Sequence, residues 1–261
     1  MALFTGSIRS AALQMDTLLQ VFMPAEDSLA PAGTEMKTVI LLHGLKQNAE
    51  SWTRMSRVVR FAAMTGFNVI VPEVQRSWYT NMAQGLAYFD YVTRELPEIC
   101  GKMFRVPMDG GHLYAAGLSM GGYGALKCAL TYPDRFAGAM SYSGALLCME
   151  EIDSVQSIVS RGEITAILGP DARCAPDNSL TDLLDTAAAA GRRPRLYVAC
   201  GTEDPLLDQN RRFCVMARER AFPLIREEWA GGHTWAFWDR ACGRSFAFMA
   251  GMDPDKVLEE A

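Results

Sequence analysis

The stretch that most restricts the fold of this chain is residues 112–130, which begins His112-Leu113-Tyr114-Ala115-Ala116 and ends Lys127-Cys128-Ala129-Leu130. Its first residues are apolar and β-prone. It then passes Gly117-Leu118-Ser119-Met120-Gly121 and runs on into an Ala/Leu/Lys segment that reads as helix. A strand leading through Gly-x-Ser-x-Gly into a helix is the context of a nucleophile elbow, a sharp turn that holds a serine hydroxyl exposed at the carboxyl end of a sheet. A bare Gly-x-Ser-x-Gly arises by chance in roughly one such chain in ten, given how common glycine is. The weight therefore rests on the flanking elements and on partners found downstream.

The rest of the chain supplies the sheet. Lys37–Leu42 is a continuous apolar run, as expected of a strand buried on both faces. Similar runs follow at 67–72, 136–143, 195–200 and 224–229. Helical spacing lies between them, over 51–64 with Ser51 as N-cap, 82–101 with a kink or split at Pro97, 206–221 and 234–250. Two β-like segments in 6–23, turning around Asp16-Thr17, read as an antiparallel pair at one edge, and 24–36 as a loop. Strands alternating with helices imply right-handed crossovers and a mostly parallel sheet covered on both faces. The expectation is one α/β domain over residues 1–261, with the irregular stretch 144–190 as an insertion or cap over the site.

Composition narrows the class. A net charge of −5 with no basic run longer than Gly191-Arg192-Arg193-Pro194-Arg195 argues against nucleic acid as a partner. The longest apolar runs are strand-length, so no membrane partner is expected. Residues 1–15 show no secretory signal pattern. Seven cysteines without a C-x-x-C read as reduced, mostly buried thiols, which places the protein in the cytoplasm. No metal site is legible. Homo-oligomer formation stays open, since neither heptads nor an interface stripe can be read.

A serine hydroxyl needs a base to become a nucleophile, and histidine is the usual one. There are three histidines. His112 precedes the elbow strand, at the end away from Ser119. His43 opens the turn His43-Gly44-Leu45 and reads as structural. His233, in Gly231-Gly232-His233-Thr234-Trp235, follows a strand and is the candidate base, or else a surface-loop residue held by its glycines. The imidazole in turn needs a carboxylate. Asp204, in Gly201-Thr202-Glu203-Asp204-Pro205, follows a strand and gives the order Ser, Asp, His of α/β-hydrolases. The alternatives are Glu203, Asp208, or a plain helix-capping role for Asp204. The backbone amides of Leu45 and Met120 are the candidate oxyanion donors. Asn48 and Trp52 either brace the Leu45 loop or simply cap and pack. Trp78, Tyr79, Trp235 and Phe237 either line a substrate pocket or pack in the core.

At these residues the chain resembles the esterase D-like α/β-hydrolases, and within them the tributyrin esterase type of bacterial short-chain carboxylesterase. The matching stretches are His43-Gly44-Leu45 with Asn48 and Ser51-Trp52, Trp78-Tyr79-Thr80-Asn81, Glu95-Leu96-Pro97, residues 117–127, Gly201-Thr202-Glu203-Asp204, and Gly232-His233-Thr234-Trp235 with Phe237-Trp238. The resemblance implies Ser119, Asp204 and His233 as a triad, with Leu45 and Met120 as the oxyanion hole. It also implies hydrolysis of short acyl esters, acylated carbohydrate among them, and no cofactor. The family includes S-formylglutathione hydrolases, which typically carry threonine where this chain has Lys46. That departure and the Trp78-Tyr79 segment set the chain apart from those thioesterases, so a thioesterase stands only as the alternative, and a non-catalytic binding protein on the same fold as the alternative of another class.

Overall fold

The computed structural model describes residues 2–24 and 29–261, so residues 25–28 of the expected loop lie outside it. Eight strands form one sheet: β1 (Ala2–Ser10), β2 (Met15–Met23), β3 (Lys37–Leu42), β4 (Phe67–Pro72), β5 (Leu113–Leu118), β6 (Gly138–Tyr142), β7 (Arg195–Gly201) and β8 (Leu224–Trp229). Their spatial order is β1-β2-β4-β3-β5-β6-β7-β8. The β1–β2 and β2–β4 pairs are antiparallel and all others parallel. This is the α/β-hydrolase arrangement with an antiparallel N-terminal edge.

The helices are α1 (Ser51–Met55), α2 (Val58–Thr65), α3 (Tyr88–Asp90), α4 (Leu96–Phe104), α5 (Met120–Thr131), α6 (Arg161–Leu168), α7 (Leu180–Ala189), α8 (Leu207–Glu219), α9 (Trp235–Ala250) and α10 (Pro254–Glu260). Alternate strand residues feed opposite layers, because side chains of a strand alternate faces. Ile40 and Leu42 join the core beneath α4, α5, α7 and α8. Val39 and Leu41 join the one beneath α2, α9 and α10. Each of these four is fully buried, contributing about 1.5–3 kcal/mol of apolar transfer. Among the described residues, no helix is long and apolar enough to cross a membrane.

Three local expectations are corrected. The first hairpin turns at residues 11–14, and Asp16 and Thr17 pair within the ladder, opposite Arg9 and Ile8. The turn is held by Glu95, which accepts the Ala11 and Ala12 amides at 2.6 and 3.3 Å, a partner invisible to local pattern. Helix 51–64 is two helices, with Glu50 and not Ser51 at the N-cap position. It breaks at Arg57, whose amide and guanidinium are both taken by Asp239 of α9. Helix 82–101 starts only at Tyr88, after a bridge between Asn81 and Ala87. Pro97 does not break it. It sits in the first turn of α4, where no amide is needed, and the irregularity is a π-turn just upstream at Tyr91–Glu95.

Candidate active site

Ser119 sits between β5 and α5 with φ 53° and ψ −118°. An L-residue held there stores on the order of 1–3 kcal/mol of strain. The surroundings enforce it. The Ser119 amide donates to the Tyr142 carbonyl at 2.9 Å, and the Ser119 carbonyl accepts the Gly122 and Ala145 amides at 3.0 Å each. The flanking glycines are steric necessities. A Cβ on Gly117 would lie 2.5 Å from the Gly121 backbone, and one on Gly121 would run into the Leu42 carbonyl. Strand and helix can cross this closely only without side chains.

The other two members arrive on the loops after β7 and β8. A Cβ on Gly201 would strike the Gly231 carbonyl, so the two loops touch backbone to backbone there. The Glu203 amide donates to that same carbonyl at 3.1 Å, and the Thr202 amide to the Trp229 carbonyl at 3.0 Å. The Glu203 carboxylate accepts the Gly231 amide and the Thr202 hydroxyl, so it buttresses the His233 loop from outside. Asp208 is exposed in the first turn of α8 and pairs with Arg212. Asp204 is the buried one, with its side chain wholly covered. Its Oδ2 lies 2.9 Å from His233 Nδ1, and its Oδ1 accepts the Leu206 amide at 2.9 Å. His233 Nε2 lies 3.1 Å from Ser119 Oγ. Asp204 is not the N-cap of α8, a position held by Leu206.

Burial pushes the Asp204 carboxyl up, but the hydrogen bonds from His233 and the Leu206 amide outweigh it and hold the group below its ordinary value. It therefore stays ionised through the neutral range and fixes the His233 proton on Nδ1, leaving Nε2 as the acceptor facing Ser119. The Trp238 ring meets the His233 ring edge-on at 4.9 Å and limits its rotation.

Leu45 and Met120 both border the space in front of Ser119. Among the described residues neither amide has a hydrogen-bond acceptor, and Met120 is the first residue of α5, where the helix dipole favours negative charge. His43 is buried and ties the Leu45 loop down: Nδ1 donates to the Gly44 carbonyl at 2.9 Å and Nε2 accepts the Val74 amide at 3.2 Å. Trp52 braces the same loop through its indole N–H on the Leu42 carbonyl at 3.0 Å. Asn48 caps, its side-chain oxygen accepting the Glu50 amide at 3.1 Å. His112 is bonded to Asp109 and Glu35 at the opposite edge, beside the start of β5.

Two cavities open on either side of Ser119 and His233. The smaller, about 180 Å³, is apolar, with Trp78, Met120, Ala145, Cys148 and Leu206 among its walls. The larger, about 650 Å³, is bordered by Lys46, Gln47, Thr234, Trp235 and Trp238. Leu45 and Ile158 border both. Of the four aromatic candidates, Trp78 and Trp235 thus line cavities. Tyr79 and Phe237 do not: Tyr79 is buried with its hydroxyl on the His43 carbonyl at 2.8 Å, and Phe237 stacks on Trp229 at 4.5 Å. Sequence reasoning missed Cys148 and Ile158, which carry no motif, and Leu206, whose place two residues after Asp204 was the available signal. Six of the seven cysteines are buried and all are unpaired thiols. Among the described residues, no group of three metal-ligating side chains is present.

Comparisons with known proteins identify the family. A family model described as putative esterase matches residues 10–247. An acetyl esterase of Caldicellulosiruptor saccharolyticus is 28% identical over 228 residues, covering 82% of this chain and 84% of that enzyme. Among solved structures, the fluorophosphonate-binding serine hydrolase F of Staphylococcus aureus superposes with a TM-score of 0.86 at 30% identity, over 95% of this chain and 98% of that one. An S-formylglutathione hydrolase of the same organism gives 0.83 at 30% identity, with the same coverage.

Proposed function

This chain belongs to the putative esterase family and is a serine hydrolase, and on that premise we propose that it is a carboxylesterase for short acyl chains, working through an acyl-enzyme on Ser119. The observation that carries the reading is the hydrogen-bonded line Ser119–His233–Asp204 at the mouth of a small apolar cavity. His233 Nε2 takes the proton of Ser119 Oγ as the oxygen attacks the ester carbonyl. The Leu45 and Met120 amides receive the oxyanion, a contribution of about 10²–10³ in rate per donor. Collapse of the tetrahedral adduct passes the proton from His233 to the departing alcohol. Water then enters by the same route, gives its proton to His233 and releases the acid. No cofactor takes part in these steps.

Size supports separate roles for the two cavities. An apolar cavity of roughly 150 Å³ holds one benzene, so about 180 Å³ suits acetyl to butyryl and at most about six carbons. A feruloyl group exceeds it. The larger cavity, with aromatic and polar walls, suits the alcohol, including a sugar ring. The second reading is a thioesterase. It is supported by the structural likeness to an S-formylglutathione hydrolase, while Lys46 on the wall of the larger cavity, where those hydrolases typically carry threonine, sets it second. The buried, unpaired thiols support a cytoplasmic setting. Ser119→Ala is expected to lower p-nitrophenyl acetate turnover by at least about 10⁴-fold and to abolish labelling by a fluorophosphonate probe. Retained labelling removes Ser119 from the mechanism. Parallel assays of acetyl esters, acetylated sugar and S-formylglutathione separate the two substrate classes.

A further inference from the structure

One guanidinium joins the two halves of the site. Arg76 follows β4 on the loop that carries Trp78. Its Nε and Nη2 hold both oxygens of Glu163 at 2.6 and 3.0 Å, a bidentate pair. The same Nη2 donates to the Ile158 carbonyl at 3.0 Å, and Nη1 reaches the Leu45 carbonyl at 3.5 Å. Leu45 is the residue whose amide faces the oxyanion. Ile158 borders both cavities. Glu163 lies in the first turn of α6, where its own amide is capped by Ser160 Oγ at 3.2 Å.

Residues 152–160 therefore form a strap across the mouth of the acyl cavity, contributing Ser154 and Ile158 to its wall. An arginine holds each end: Arg212 takes Glu151 at 2.5 Å before the strap, and Arg76 takes Ile158 and Glu163 at its close. Between these anchors the strap is largely exposed, and Ile158, itself half exposed, borders both cavities. Its apolar hold on the body comes from Val159, which is buried, and from Ile152, which packs partly buried against the core. The arginine pairs fix its two ends.

We propose that Arg76 is a positioning residue whose bidentate grip on Glu163 latches the 152–160 strap over the acyl cavity, so that the latch, more than the cavity floor, sets the longest acyl chain the enzyme accepts. The proposal rests on the esterase reading. Through the Leu45 carbonyl the same guanidinium also steadies the oxyanion loop, so the two arms have separable effects. Glu163→Gln keeps the side chain but removes the charge and loosens the strap arm alone. Arg76→Met loosens both arms.

The pair is partly exposed, with side chains 42% and 21% accessible, so it is open to screening by salt. An exposed ion pair of good geometry changes an equilibrium by at most about fivefold, and that bounds the expected effects. The test is kcat and KM on p-nitrophenyl acetate, butyrate, hexanoate and octanoate for the parent enzyme, Glu163→Gln and Arg76→Met. The thermal midpoint of each variant is recorded to exclude unfolding. In both variants the octanoate-to-acetate ratio of kcat/KM is expected to rise about threefold to fivefold, mainly through KM on the long ester. Arg76→Met alone should also lower kcat on acetate. In the parent enzyme the ratio should climb by about twofold between low salt and about 0.5 M NaCl, and climb less in Glu163→Gln, which has no latch left to screen. An unchanged ratio in both folded variants overturns the latch. Failure of the parent enzyme to hydrolyse any of the esters overturns the esterase reading instead.

Discussion

The elbow and the strap are both within reach of the same substrate carbonyl, yet they are built by opposite means. From Leu113 to Leu130 every residue but Ser119 is buried, and position is enforced by backbone in contact with backbone across Gly117 and Gly121. Across residues 150–163 most residues are exposed or half-buried, and position is set by arginine–carboxylate pairs. Close-packed interiors do not deform gradually, since voids and overlaps both cost free energy, whereas charge pairs near water exchange partners at about 0–1 kcal/mol. The difference assigns the labour. The triad atoms are fixed by the part that cannot yield, and on the latch proposal the choice of acyl group falls to the part that can.

The sharpest way to break this contrast is through the carboxylate behind the histidine. Asp204→Asn keeps the shape but favours the wrong imidazole tautomer, and a fall of about 10⁴-fold in kcat is expected. Stopped-flow acylation of Ser119 would read it, and a loss under tenfold would mean that the elbow works without its partner. Next comes Gly121→Ala. With its Cβ driven into the Leu42 carbonyl, stability should drop by about 3 kcal/mol or more, seen as a lower urea midpoint. A tolerated alanine would show that the elbow can yield after all.

Behind the elbow, the rigid region carries a buried cation, Lys127 of α5. Its ammonium is buried, donates to the Tyr79 carbonyl at 3.0 Å and to Asn178 Oδ1 at 2.5 Å, and lies 4.1 Å from the Phe89 ring centre. Tyr123 of the same helix holds the Asn178 carbonyl at 2.7 Å. Burial pushes the Lys127 pKa down from 10.5 to about 8. The unfolded chain then binds more protons than the folded one between those values, so this group's contribution to stability grows as pH rises from about 8 to 10.5 and is lost as pH falls through about 8. Its full size is on the order of 3 kcal/mol. Chemical denaturation of the parent and Lys127→Met at neutral pH and near pH 10 should show the methionine variant lacking this rise; parallel curves would refute it. The smallest expected effect is at the far anchor of the strap. Glu151→Gln should change global stability by less than about 1 kcal/mol, a shift of a few degrees at most in a calorimetric midpoint.

What the residues disclosed beforehand follows the same division. β3 and β4 could be read because a strand buried on both faces is apolar throughout, and the site residues because each stands at the carboxyl end of such a run. The orders Gly-x-Ser-x-Gly and Gly201-Thr202-Glu203-Asp204 carried their own steric reasons. The hairpin turn at 11–14 was illegible because its decisive partner, Glu95, is more than 80 residues away. The break before Val58 was illegible because Asp239 makes it. Tyr79 and Phe237 could not be told from Trp78 and Trp235 by type, since an aromatic ring serves core and cavity alike. Ile158 and Arg76 lie in no motif, and only their meeting across the fold gives them meaning.

The order of strands along the sheet has a temporal consequence. Ser119 follows β5, Asp204 follows β7 and His233 follows β8, so the nucleophile leaves the ribosome more than a hundred residues before its base. A growing chain carries an inert serine until its final quarter has been made and docked. Hydrolytic power waits for the loops after β5, β7 and β8 to meet, and turnover reports that meeting, where backbone spectra report only that helices and strands have formed.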